Sequence, residues 1–175
     1  MKIAIIYDSK SGTTEKMAQA VAEGVREAGA EPVLKRATEA TPADLEAADG
    51  IILGSPGQFG LPSFPLKEFL DQTGRLWMEG KLVGKAGGVF VTNYTLHGGK
   101  EQTMLGLITF MLHHGMVVVG LPASAPGNAV RGSYYGASAS QATGGPTEED
   151  LAAARALGRR VAEVAGALAR ATPAA

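Results

Sequence analysis

Six consecutive residues near the amino terminus, Ser9, Lys10, Ser11, Gly12, Thr13 and Thr14, crowd hydroxyls around one glycine, between an apolar run ending at Tyr7 and a segment of helical spacing. That order builds an anion site. The first amides of a helix have no internal acceptor and carry the positive end of the dipole, and Ser and Thr hydroxyls add donors around a terminal phosphate. Gly12 lets the backbone approach closely. The nucleotide-hydrolase pattern GxxxxGKS or GxxxxGKT and the dinucleotide pattern GxGxxG are both absent, so the cradle suits a phosphomonoester better than a pyrophosphate. Alternatively, Thr13 or Thr14 is a plain helix N-cap.

Two further segments have unusual composition. Pro56-Gly57-Gln58-Phe59-Gly60-Leu61-Pro62 can hold a flat heterocycle between its backbone and Phe59, or form a rigid turn with Phe59 packed inward. Thr92-Asn93-Tyr94-Thr95-Leu96-His97-Gly98-Gly99 offers backbone amides to the polar edge of such a ring, or is a long connection with no ligand. Trp77, the only tryptophan, is either a core or interface residue or the wall of a substrate cleft. His113 and His114 precede Gly115 at the end of a helical segment, where a cation complements the dipole and glycine ends the helix. No His, Asp and Glu cluster has metal-ligand spacing, so no metal is expected, and the GxSxG elbow of a serine nucleophile is missing. Cysteine is absent, which excludes disulfides, a thiol nucleophile and thiolate-held iron–sulfur or zinc centres supplied by this chain. Redox chemistry here requires a borrowed cofactor.

The elements that must position these groups follow from hydrophobic periodicity. Ile3–Tyr7, Gly50–Ser55, Gly87–Thr92 and Met116–Val119 are apolar without alternation, as parallel strands covered on both faces are, and Pro32–Arg36 is a weaker fifth. Thr14–Ala28 carries Met17, Val21 and Val25 four apart with Gly29 to end it. Phe64–Asp71 and Glu101–His114 have the same spacing, and Thr147-Glu148-Glu149-Asp150 reads as a capping box opening a last helix through about Ala169. Alternating strands and helices predict an α/β fold. Right-handed crossovers make it a doubly wound, five-stranded parallel sheet of the flavodoxin-like order 2-1-3-4-5. Ligands then bind beyond the carboxyl ends of the strands, where all three loops lie. Residues 1–170 are expected as a single domain and residues 171–175 as a frayed tail. The 27 residues from 120 to 146 are too long for an ordinary connection and are expected to be functional.

Sixteen basic and 17 acidic residues leave a net charge of −1, without the surplus that draws nucleic acid or an anionic membrane. MKIAIIYDS enters a strand pattern within two residues, leaving no room for a signal peptide, and no apolar run approaches the roughly 18 residues of a membrane span. A cytoplasmic protein is expected, with neither nucleic acid nor membrane insertion.

Several strings then carry a resemblance: FLDQTGRLW at Phe69–Trp77, GGKEQT at Gly98–Thr103, HHGMVVV at His113–Val119 and RGSYYGAS at Arg131–Ser138. From residue 1 to about residue 165 the chain resembles the WrbA-type NAD(P)H:quinone oxidoreductases of the flavodoxin-like family. The resemblance implies FMN held by Ser9, Lys10, Ser11, Gly12, Thr13 and Thr14, by Pro56, Gly57, Gln58 and Phe59, and by Thr92, Asn93, Tyr94, Thr95, Gly98 and Gly99. It also implies that His113 approaches the flavin as the catalytic residue and that Trp77 lines the substrate cleft. Family members assemble as tetramers whose neighbouring subunits help wall that cleft, so a homo-oligomer, tetramer or dimer, is expected, with NADH or NADPH as co-substrate and a quinone as acceptor. The implied activity is a two-electron, ping-pong transfer; the alternative is a flavodoxin-type electron carrier acting on a protein partner. Three departures stand out. Ser11 replaces the aromatic residue usual before the loop glycine, the insertion between the second and third strands is missing, and the loop with Asn93, Tyr94 and His97 is about one residue longer.

Overall fold

A computed structural model describes residues 1–171. The chain runs β1 (Lys2–Tyr7), α1 (Thr13–Glu27), β2 (Glu31–Arg36), α2 (Pro42–Glu46), β3 (Gly50–Gln58), β4 (Leu61–Pro62), α3 (Phe64–Asp71), α4 (Gly74–Met78), β5 (Ala86–Asn93), α5 (Lys100–His113), β6 (Val117–Val118), α6 (Asn128–Arg131), β7 (Ala137–Ser140) and α7 (Glu148–Ala171). The parallel core is ordered β2-β1-β3-β5-β6. This is the expected flavodoxin-like order, its numbers shifted by the two-residue β4, which pairs antiparallel with β3. The last helix reaches Ala171; the other residues of the expected tail, 172–175, lie outside the described residues.

Strands buried on both faces explain the unbroken apolar runs. Ile3, Ile5 and Tyr7 turn to one layer, with Met17, Val21 and Val25 of α1 and Leu157 and Val161 of α7. Ala4 and Ile6 turn to the other, with Leu45, Leu66, Phe69, Leu76 and the Met104, Leu107 and Met111 face of α5. A fully buried aliphatic side chain contributes roughly 1.5–3 kcal/mol, so these two layers dominate the stability. Glycines set how closely the helices and strands approach. A side chain at Gly24 would strike the Arg155 carbonyl and one at Gly158 the Val21 carbonyl, so α1 and α7 touch backbone to backbone. In the same way the Phe90 ring occupies the place of a side chain at Gly54. The expected capping box opens α7: the Thr147 amide donates to Asp150 Oδ2 at 2.9 Å, and the Asp150 amide donates to Thr147 Oγ1 at 3.3 Å.

The long segment 120–146 is an excursion from the sheet edge and back. β6 pairs with Ala86 and Gly87 at the start of β5, and β7 pairs in parallel with Phe90 through Asn93 at its end. Two short strands therefore share one edge position. The return strand delivers Ser140 and a following one-turn helix, Gln141–Thr143, to the carboxyl end of the sheet.

Candidate functional site

The carboxyl ends of β1, β3 and β5 open into one cleft of about 270 Å³, near the small end of ligand pockets. Lys10, Ser11, Thr13, Thr14, Pro56, Gly57, Gln58, Thr92, Asn93 and Tyr94 line it, joined by Gln141. All three loops named from the sequence thus meet, as the strand order requires.

The first loop is shaped by its own backbone. Gly12, the N-cap of α1, has φ +86°, a left-handed conformation that costs other residues roughly 1–2 kcal/mol. A Cβ there would meet no atom within 4 Å, so the glycine serves conformation and leaves the concave side open. Ser9 Oγ accepts the amides of Gly12 and Glu15, both at 3.2 Å. Capping therefore comes from Ser9, and the Thr13 and Thr14 amides, which precede Lys16, the first amide to donate within the helix, are left for a ligand. A brace beneath the loop holds it: Arg36 donates to the Ser9 carbonyl at 3.0 Å and to Glu15 Oε2 at 2.9 Å, while the Tyr7 hydroxyl donates to Glu15 Oε1 at 2.9 Å. Burial, then the bond to Glu15, holds the Tyr7 hydroxyl above its ordinary range. Across the cleft floor the Thr14 and Thr92 hydroxyls meet at 2.8 Å.

The second loop is a hairpin rather than irregular. β3 runs three residues past Ser55, and Gly57 and Gln58 pair with Pro62 and Leu61. Phe59 and Gly60 form the two-residue connection with φ +52° and +79°, the primed geometry favoured between twisted strands. Phe59 is the only non-glycine residue at positive φ among the described residues, and its ring is fully exposed rather than packed inward. It borders a groove of about 540 Å³ running along Ser9, Lys10, Gln58 and Phe64. In the third loop Asn93 Nδ2 donates to the Gly98 carbonyl at 2.5 Å. A Cβ at Gly57 or Gly98 would come within 2.6 Å of that amide nitrogen, so both glycines make room for Asn93. Asn93 Oδ1 is buried without a partner, an acceptor awaiting a donor. Thr95, Gly98 and Gly99 sit on the rim of this loop, outside the lining.

Trp77 and His113 are elsewhere. With Met78, Val83, Leu112, His114 and Gly115 they line a groove of about 590 Å³. α5 starts beside the cleft, and 14 residues at about 1.5 Å each carry His113 roughly 20 Å away, to the amino end of the sheet. Trp77 is largely exposed, so it is not a core residue of the single chain. His114 is buried with Nε2 at 3.1 Å from Thr73 Oγ1, and burial, then the neighbouring His113, lowers its pKa below the ordinary 6.5.

A family model described as NADPH-dependent FMN reductase matches residues 32–130, more than half of the chain. The chain belongs to this family. A protein called NAD(P)H dehydrogenase (quinone) from Archaeoglobus fulgidus is 44% identical over 94% of this chain and 97% of its own. One of the same name from Methylocella silvestris is 45% identical over 95% and 98%. Among solved structures, the flavodoxin, WrbA-like protein from Agrobacterium tumefaciens has a TM-score of 0.74 at 31% identity, covering 95% of this chain and 98% of that one. The WrbA-type resemblance and the flavodoxin-like fold are borne out. The alignment with the Archaeoglobus protein spans 191 positions against 175 residues here, so that relative carries residues this FMN reductase family member lacks. Only the short α2 separates β2 from β3.

The cleft fits FMN by its own chemistry. A phosphomonoester matches the open Thr13 and Thr14 amides with the hydroxyls around them, and the imide N–H of the flavin ring is a donor of the kind Asn93 Oδ1 lacks. Gln141 and the Tyr7–Glu15–Arg36 brace escaped the sequence reading. Gln141 is a lone amide in a stretch of small residues, with no motif to flag it.

Proposed function

We propose that this chain transfers two electrons from NAD(P)H to a quinone by a ping-pong scheme, as a homo-oligomer in the cytoplasm. That it is an FMN-dependent NAD(P)H:quinone oxidoreductase follows from the family and from relatives matched over nearly their whole length. No helix among the described residues is long and apolar enough to cross a membrane. The observation that carries the reading is the convergence, in one cleft, of the open α1 amides and the orphaned Asn93 acceptor. Ser9 through Thr14 hold the phosphate, Pro56 through Phe59 flank the ring, and Thr92 through Thr95 with Gly98 and Gly99 meet its polar edge. When bound, FMN supplies the two-electron relay between nicotinamide and quinone. The chain's own residues fix orientation: Phe59 gives an apolar wall, and backbone donors stabilise negative charge. Nicotinamide and quinone take one exposed position in turn.

Trp77 and His113 sit far from their own cleft, so their service as substrate wall and as hydrogen-bond or proton donor to the quinone is given to the cleft of a neighbouring subunit. The exposed Trp77, Met78, Val83 and Leu112 supply an apolar surface for that contact. Mixing tests this directly. Gly12→Val and Trp77→Ala subunits, each impaired alone, regain part of the activity when co-assembled if cleft and wall come from different chains; no recovery refutes the shared site. Stopped-flow mixing of the FMN-loaded protein with NADH or NADPH bleaches the flavin without a partner protein. Absence of bleaching by either would make the chain a flavodoxin-type carrier.

A further inference from the structure

Gln141 is the one lining residue of the cleft that comes from the returning segment after β7 rather than from the three loops. Its Nε2 donates to Thr13 Oγ1 at 2.6 Å and to Ser11 Oγ at 2.9 Å, and those two hydroxyls are hydrogen-bonded to each other at 3.3 Å, either one donating. The side chain is held in place from behind. The Ala142 amide donates to the Tyr94 carbonyl at 2.8 Å, the Gly144 amide to the Gln141 carbonyl at 2.9 Å and the Gly145 amide to the Ser140 carbonyl at 3.0 Å. The turn therefore ties the third loop to the phosphate loop.

The chemistry of an amide nitrogen gives this contact a direction. An NH₂ group only donates, so a hydroxyl facing it must accept, and the hydroxyl's own hydrogen is turned elsewhere. One of the two hydrogens is taken up between Ser11 and Thr13 themselves, and the other is left for the side of the loop on which Gly12 presents open space and the Thr13 and Thr14 amides lack acceptors. An O–H whose oxygen already accepts a hydrogen bond is also the stronger donor. Building on the FMN reading, we infer that Gln141 is a positioning residue for the cofactor phosphate: it orients the linked Ser11–Thr13 hydroxyl pair so that its remaining hydrogen donates, and so sets the preference for the phosphorylated flavin, FMN, over riboflavin. A plug that the phosphate must displace is the opposite case and has the opposite signature.

The test compares FMN and riboflavin binding to the apo-protein by quenching of flavin fluorescence, with wild type, Gln141→Ala and Gln141→Glu. Charge-assisted hydrogen bonds to an anion are strong, so Gln141→Ala is expected to weaken FMN by about tenfold and leave riboflavin within about twofold. Gln141→Glu presents acceptors only, reverses the hydroxyls and adds a negative charge, and is expected to weaken FMN by about a hundredfold with riboflavin again little changed. Circular dichroism melting checks that each variant folds. Equal losses for the two flavins would make Gln141 a merely structural strut and overturn the inference, as would unchanged FMN binding. Tighter FMN binding by Gln141→Ala would identify a plug, overturning it too. A wild-type protein that binds riboflavin as well as FMN fails the phosphate-loop reading itself, and with it this inference; wild-type preference retained in both variants fails only Gln141.

Discussion

At the carboxyl end of the sheet the chain works with backbone and small polar groups: the open amides of α1, the hydroxyls of Ser11 and Thr13, the buried amide of Asn93. At the amino end the groove of Trp77 and His113 is walled by large exposed side chains, Trp77, Met78, Val83 and Leu112. The helices run the same way past both ends: α1 starts at the cleft and α5 finishes at the groove. Their N-termini supply unpaired N–H groups and positive potential, which suit a phosphate, whereas their C-termini supply carbonyls and a place for histidine. On the proposed function, a cofactor of fixed shape is met by rigid backbone, and exchangeable substrates and neighbouring chains by apolar surface.

The sharpest way to break this contrast is at the backbone. Gly12→Val forces a β-branched residue to φ +86° in a place where nothing obstructs its side chain, so the fold survives while the loop shifts. FMN affinity falls by about five- to thirtyfold, from the roughly 1–2 kcal/mol of left-handed strain; a fluorescence titration at wild-type affinity would put the phosphate elsewhere. At the opposite end, Trp77→Ala removes a wall and no backbone. KM for nicotinamide and for quinone is expected to rise together, by about tenfold, with FMN retained. Double-reciprocal plots of the wild type should be parallel, and intersecting lines would reveal a ternary complex. Loss of FMN by the variant would show that the two ends are not separable.

Phe59 belongs to the polar end yet is apolar, exposed and held at φ +52°. Strain of this kind persists where function uses it. Phe59→Asn, which tolerates the conformation, should raise thermal stability by about 1 kcal/mol while weakening FMN several-fold; a less stable variant would mean that the ring packs rather than strains. The smallest effect concerns His114. Its pKa in the folded chain lies below 6.5, chiefly through burial. The neutral form is therefore the one the fold accommodates: the contribution is complete above about pH 6.5 and is lost as the pH falls through the folded value. Urea midpoints should drop on acidification less steeply in His114→Gln than in wild type, and identical slopes would sink the assignment.

Much of this was readable beforehand, for a physical reason. Doubly covered strands announce themselves as unbroken apolar runs, and the hydroxyl-rich turn after Tyr7 stands directly on a helix start. β7 was hidden because Ala137-Ser138-Ala139-Ser140 has no apolar run; its burial comes from β5 and α7 around it. The hairpin at Phe59 was hidden because phenylalanine does not signal a primed turn. The separation of His113 from the cleft was available in principle. A helix leaving the carboxyl end of β5 must finish at the amino end of the sheet, so helix polarity alone assigns His113 to the far side. Gln141 had no such signal, since its meaning depends on the return of a long excursion.

The shared edge formed by β6 and β7 bears on which border of the sheet another chain can extend and on how the sequence changes over generations. An edge strand of full length is a template on which another chain can add a strand. Here this edge is two residues, a gap, then four residues, too short and too interrupted for that templating, whereas the opposite edge is the six-residue β2. Because the chain leaves after Val118 and returns at Ala137, with both ends fixed by β5, the excursion between them can lengthen or shorten at an entropic cost that grows only slowly with loop length. The same break that keeps this edge from templating a strand is thus a docking point for novelty, a place where new sequence can be trialled beside the cofactor without disturbing the sheet that holds it.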